Sequence, residues 1–249
     1  MSDNNHDSHN ELEHQATAEF GETEAGEHHA GETETDEYLS VSPEQHELHA
    51  SGLRNAVLRG DEADDHLHGA RHNDLLDGGD GDDTLDGGDG DDVLIAGGHT
   101  DRGTNSIDGG AGDDVLVAGG TATRELHEYL RLHPEVADAV RGDGKLIGLL
   151  SLIEASPVTD PLDTSARAAN TIAFHDGNGH DSVFNFHAEG DRIQIDRGVN
   201  GSDISDIESL VRHITVDGDD VSIDLGQSNS VTLVGVDVAH LSADNVLWA

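Results

Sequence analysis

From residue 58 onward a large aliphatic side chain returns every nine positions, at Leu58, Leu67, Leu76, Leu85 and Leu94, and the intervals are filled mainly by glycine and aspartate. This spacing is neither the 3.6-residue repeat of a helix face nor the simple alternation of a long strand. A fixed short period of this kind predicts a coiled parallel β structure in which each unit supplies one turn and one short strand. Two units abut without a gap at 78–86 and 87–95, reading GGDGDDTLD and GGDGDDVLI, and a third, GGAGDDVLV, occupies 109–117.

The first six residues of a unit form the turn, where glycine reaches backbone angles that other residues adopt only at a cost. The last three form a strand with alternating side chains, so position eight points into the coil. Leu85, Leu94 and Leu116 hold that position, and Asp83, Asp92 and Asp114 close each turn with a carboxylate at position six. Weaker copies precede them: 60–68 and 69–77 keep Asp65 and Asp74 in phase, whereas 51–59 keeps Leu58 but has Ala56 at position six. Terminal repeats are commonly atypical because they cap the stack.

Downstream the phase breaks and recovers. Gly97 and Gly98 open a unit in which 99–102 replace one residue, with Asn105 at position six and Ile107 at position eight. Gly119 and Gly120 open another, whose completion at 168–173 brings Asn170 to position six, and 177–183 fit one further unit with Asp181 there. Between these halves, 121–167 read as a helical insertion. Thr123 is a capping residue, Leu126 and Leu130 fall at helical spacing, Pro134 either ends that segment or opens a second helix at its first turn, and an apolar segment at 145–155 ends at Ser156 and Pro157. His127, Glu128 and His133 invite a catalytic reading, but surface side chains on a helix are the plainer one.

The C-terminal region is rich in β-branched residues, with strands expected at 183–186, 192–196, 214–216, 221–225 and 231–236. Asp217, Gly218 and Asp219 predict a hairpin turn, and Ser205 to Glu208 a capping box that opens a short helix. The expected fold is therefore mainly β. A parallel β-roll of nonapeptide repeats over 51–120 continues into a last coil and a β-rich region over 168–249, with a helical insertion at 121–167 and a disordered acidic tail at 1–50.

Charge sharpens this picture. The chain carries 53 acidic against 12 basic residues, a formal net charge of −41, with 3% aromatic residues and no cysteine. Phosphate recognition needs clustered Lys and Arg, so no nucleic acid is expected as a partner. A chain so charged should be expanded until cations cancel the repulsion, which makes metal binding a source of folding free energy. The tail at 1–50 holds 14 acidic residues and seven histidines without Lys or Arg, and reads as solvated low-complexity sequence. Its string His46-Glu47-Leu48-His49 lacks the four-residue histidine spacing of a zinc protease helix, because position 50 is Ala. No apolar run reaches the length of a membrane span, and the N-terminus reads as lacking a secretory signal.

The repeated G-G-x-G-x-D-x-U-x unit resembles the calcium-binding nonapeptide of the RTX family. The resemblance implies several Ca2+ ions, each taking six to eight oxygens from carboxylates and turn carbonyls. It assigns as metal residues Asp65, Asp74, Asp83, Asp92, Asp114 and Asp181, with the turn positions Gly78, Gly79, Asp80, Gly81, Gly87, Gly88, Asp89, Gly90, Gly109 and Ala111. In the family two units make one coil, so one edge would carry Asp74, Asp92, Asp114 and Asp181, and the other Asp65, Asp83, Asn105 and Asn170.

The segments 176–195 and 231–248 further resemble the C-terminal target region of RTX proteins exported by type I secretion. That likeness implies a secreted, extracellular protein, with the type I secretion machinery and a cell-surface or polysaccharide molecule as partners. The expected function is a non-catalytic matrix, surface or adhesion role, exercised by a chain that folds on external calcium. The alternative is a small exported hydrolase or polysaccharide-modifying enzyme whose active site lies in the helical insertion. No GxSxG or HExxH motif supports that alternative.

Overall fold

A computed structural model of the chain describes residues 37–41, 46–97, 103–119 and 169–249. The helical insertion expected at 121–167, the four-residue break at 99–102 and most of the acidic tail lie outside the described residues.

Strands form where each unit places its last three residues. The N-terminal half runs through β1 (Glu37–Ser40), β2 (Glu47–His49), β3 (Ala56–Arg59), β4 (His66–His68), β5 (Leu75–Asp77), β6 (Thr84–Asp89), β7 (Val93–Ile95), β8 (Ser106–Ala111) and β9 (Val115–Val117). Successive strands go to opposite sheets. The order β1-β3-β5-β7-β9 builds one side of the roll and β8-β6-β4-β2 the other, with every neighbouring pair parallel. The pattern resumes with β10 (Thr171–Phe174) on β8 and β11 (His180–Phe184) on β9. Two consecutive units thus complete one coil.

The two sheets face each other through their position-eight side chains. On one sheet the registered stack is Leu58, Leu76, Leu94, Leu116 and Val183; on the other it is Leu48, Leu67, Leu85, Ile107 and Ile172. Both stacks are buried and belong to one apolar core. Each contributes about 1.5–3 kcal/mol per aliphatic side chain relative to exposure. Leu94 is fully buried between Leu76 and Leu116. Leu94→Ala is expected to cost roughly 2–5 kcal/mol, read as a lowered denaturant midpoint in calcium with little change in slope.

The tail expected at 1–50 needs correction at its end, because β1 and β2 already add a coil to the roll. Their pairs Leu39↔Leu58 and Leu48↔Leu67 span 19 residues instead of 18, and no glycine pair opens the turn between β2 and β3, where Gly52 stands alone. Parallel pairing and burial of Leu48 outweigh the missing repeat signature.

Beyond the coils, β12 (Arg192–Ile195) extends the second sheet and is itself bordered by β16 (Val246–Trp248). The first sheet is extended by an antiparallel meander of β13 (Ile214–Asp217), β14 (Asp220–Gly226) and β15 (Asn229–Leu233), with β15 parallel to β11. The β13–β14 turn carries Gly218 at φ 65°, as a tight hairpin requires. The short helix α1 (Ile207–Leu210) is capped one residue later than the sequence suggested. Asp206 accepts from the Ser209 N–H at 2.8 Å, and the Ser209 hydroxyl oxygen accepts from the Asp206 N–H at 3.0 Å. Among the described residues no helix is long and apolar enough to cross a membrane.

Candidate metal centres along the turns

Because strands alternate between sheets, the turns alternate between the two edges of the roll, and each edge stacks equivalent positions directly. On one edge the N–H of Ala56 donates to Asp74 Oδ1 at 2.5 Å, that of Asp74 to Asp92 at 2.7 Å, that of Asp92 to Asp114 at 2.9 Å and that of Asp114 to Asp181 at 3.1 Å. On the other, Asp65 donates to Asp83 at 2.9 Å, Asp83 to Asn105 at 2.8 Å, Asn105 to Asn170 at 3.3 Å and Asn170 to Asp191 at 2.9 Å. The position-six residues therefore segregate into two ladders.

All the position-six carboxylates on these ladders are buried. One oxygen of each takes a rung hydrogen bond, except at Asp65, whose Oδ1 faces the His46 ring instead. The other oxygen of Asp92, Asp114 and Asp181 has no hydrogen-bond partner. A buried ionised oxygen without a partner is costly, and the structure shows the cost as raised proton affinity. Burial, reinforced by neighbouring aspartates, pushes Asp92 and Asp181 up to about 9 and Asp114 to about 7.

Turn carbonyls line the same edges. A Cβ on Gly88, which sits at φ 103°, would overlap the carbonyl oxygen of Ala70 in the preceding turn, and a Cβ on Gly87 would overlap Asp92 Oδ2. The glycines thus keep open a space walled by carbonyl and carboxylate oxygens, and this oxygen-only set suits a hard divalent cation. Gly78, Gly79, Gly81, Gly90 and Gly109 make equally close approaches in their own turns. Asp80, Asp89 and Ala111, at position three, stand on the rim. Asp80 and Asp89 donate their N–H groups to the carbonyls of Asp61 and Ala70, and the Asp89 side chain reaches Arg71 at 3.9 Å.

The phase after residue 95 shifts by one from the sequence reading. Ala96, not Gly97, takes position one, since its carbonyl lies 2.6 Å from the point where a Cβ on Gly78 would stand. Ala118 and Gly119 repeat this, with Gly119 at φ 93° like Gly110. Alanine thus fills position one in the two units whose position six is asparagine. In the second of them Asn170 Nδ2 turns back to donate to the Ala118 carbonyl at 2.5 Å.

Sequence reasoning missed a second pair of ladders at position five. Asp82 donates to Asp64 Oδ1 at 2.9 Å and Thr104 to Asp82 at 2.7 Å, while Asp113 donates to Asp91 at 3.0 Å and His180 to Asp113 at 2.8 Å. The doubled aspartates of the motif were the available signal: the first ties turn amides, and only the second is buried. Asp191 was also missed, because no glycine-rich turn precedes it. At that end of its ladder Oδ2 accepts the His187 N–H at 2.7 Å. The catalytic alternative rests on residues outside the described part of the chain.

A parallel β-roll with aspartate-lined turns defines a calcium-binding repeat protein. Residues 52–122 match the RTX calcium-binding nonapeptide repeat, in overlapping stretches at 52–85, 68–98 and 98–122, so this part of the chain is an array of RTX repeats. No curated protein matches the chain. Among solved structures, the crystal structure of extracellular lipase LipA from Serratia marcescens aligns over 78% of this chain and 40% of that one, at 16% identity and a TM-score of 0.32. The chain therefore spans well under two thirds of that lipase.

Proposed function

We propose that this chain is a secreted, non-catalytic calcium-binding protein that leaves the cell unfolded by type I export and folds when external calcium enters its turns. The observation that carries the calcium reading is the row of buried carboxylates, Asp92, Asp114 and Asp181, each with an oxygen that no protein donor satisfies. Asp65, Asp74 and Asp83 occupy equivalent rungs and complete the ligand set, together with the turn carbonyls. Extracellular calcium modules bind in the range of roughly 10⁻⁴ to 10⁻³ M, which leaves such a chain unloaded in the cytosol and loaded outside. Equilibrium dialysis should therefore show several calcium ions bound per chain at millimolar free calcium and little competition from magnesium. Absence of uptake overturns the reading.

Export through the C-terminus rests on the likeness of 176–195 and 231–248 to type I targeting regions. Deleting 190–249 should retain the chain in cells that carry a type I exporter, and undiminished secretion of the truncated chain would count against this route. Outside the cell, a rigid acidic roll suits a matrix, surface or adhesion role, with a cell-surface or polysaccharide molecule as the partner.

A further inference from the structure

We propose that His46, Asp61 and Asp65 form a site for a divalent transition metal of the zinc class, which closes the N-terminal end of one ladder. This goes beyond the calcium reading but requires the roll that reading describes.

The register of β2 on β4 fixes where His46 stands. The His66 N–H donates to the His46 carbonyl at 2.8 Å, as the Thr84 N–H donates to the Asp65 carbonyl one coil later, also at 2.8 Å. His46 is therefore the position-six residue of the first coil. Every later rung of this edge is Asp or Asn: Asp65, Asp83, Asn105, Asn170 and Asp191. Among the described rungs of this edge imidazole appears only at the first.

Its Nδ1 lies 3.2 Å from Oδ1 of the fully buried Asp65. Asp61 approaches from the turn of the second coil, where its own N–H donates to Asp65 Oδ2 at 2.9 Å and its Oδ1 accepts from the Ala63 N–H at 3.0 Å. One ring nitrogen of His46 and one carboxylate oxygen from each aspartate all lie within 4.8 Å of one another, the single such cluster among the described residues.

The chemistry of this set differs from that of the inner turns. Calcium takes oxygen and avoids imidazole, whereas imidazole with carboxylate suits zinc and its neighbours. Two ligands each about 2.1 Å from a tetrahedral ion stand roughly 3.4 Å apart, close to the His46–Asp65 separation. A hydrogen-bonded cap needs only His46 and Asp65. The second carboxylate adds like-charge repulsion that a cation relieves. Solvent reaches the half-buried His46 and leaves a fourth position for water.

The test uses the full chain in saturating calcium and follows thermal unfolding of the roll as Zn2+ is added, with the calcium-loaded circular dichroism spectrum as the folding control. An ion that binds only the folded end raises the transition, by roughly 5 °C once free zinc far exceeds its dissociation constant. His46→Gln and Asp61→Asn, folded in calcium by the same control, should lose this shift, while His28→Gln with His29→Gln should keep it. Bound Co2+ should give the visible absorption of a four-coordinate ion, lost in the His46 variant. No zinc-dependent shift in the folded wild-type chain, or an equal shift in His46→Gln, overturns the proposal. Failure of the chain to fold in calcium at all would instead overturn the calcium reading, so the two failures are distinguishable.

Discussion

Treated with a chelator at neutral pH, the chain is expected to lose its β circular dichroism signal, and millimolar calcium, but not magnesium, is expected to restore it. The reason is local as well as global. A net charge of −41 opposes compaction, and the turn ladders bury Asp92, Asp114 and Asp181, whose second oxygens face no donor.

The pH dependence in chelator has a definite sign. Burial first, then neighbouring aspartates, raises Asp92 and Asp181 to about 9 and Asp114 to about 7, well above the ordinary unfolded value of about 3.9. Between those limits the folded state holds more protons than the unfolded one. Their stabilising contribution is complete below about pH 4 and is lost as pH rises through each folded value, at about 1.4 kcal/mol per pH unit per group. Acidifying the chelated chain from pH 8 to pH 5 should therefore recover β structure. With calcium present the trend should reverse, because protons and calcium compete for the same oxygens, and the calcium midpoint should rise as pH falls. A β signal that is unchanged by chelator at pH 8 would refute this account.

What the sequence made legible follows from what the period encodes. Nine residues fix which side chain faces inward and which ends the turn, so the places of Leu94 and Asp92 are legible in the sequence. The segregation of Asp92 and Asp114 onto one edge, and of Asp83 and Asn105 onto the other, follows from two units per coil. What escaped was set by pairing instead of repetition. β1 and β2 join through parallel hydrogen bonds and one buried leucine at a 19-residue spacing, which a nine-residue template cannot register. Ala96 escapes the pattern because glycine marks position one in the neighbouring full repeats, so Gly97 reads as the start of its unit. The nine-residue template assigns no role to the position-five aspartates, yet Asp64 and Asp91 each spend an oxygen on the amide of a neighbouring turn. His46 resembled tail sequence until the strand register placed it on a rung.

The two ladders should also respond differently to substitution. Asp92 accepts the Asp74 N–H, donates its own N–H to Asp114, and keeps a second oxygen toward the space that Gly87 leaves open. Asp92→Ala removes a charge-assisted rung and a ligand oxygen together, and is expected to raise the calcium midpoint roughly ten- to a hundred-fold. Asn105 already lacks the charge, and Asn105→Ala removes the acceptor for the Asp83 N–H without removing a carboxylate, for an expected change of a few-fold. Asp92→Asn separates the two parts of the effect, since an amide oxygen can still hold the rung, as Asn105 and Asn170 do on the other edge. If the carboxylate serves calcium, Asp92→Asn should fold at high calcium with a midpoint near that of the alanine variant. If it serves only the ladder, the asparagine variant should titrate like wild type. Equal midpoints for Asp92→Ala and Asn105→Ala would show that the edges are equivalent and that the charge asymmetry between them carries no difference in calcium affinity.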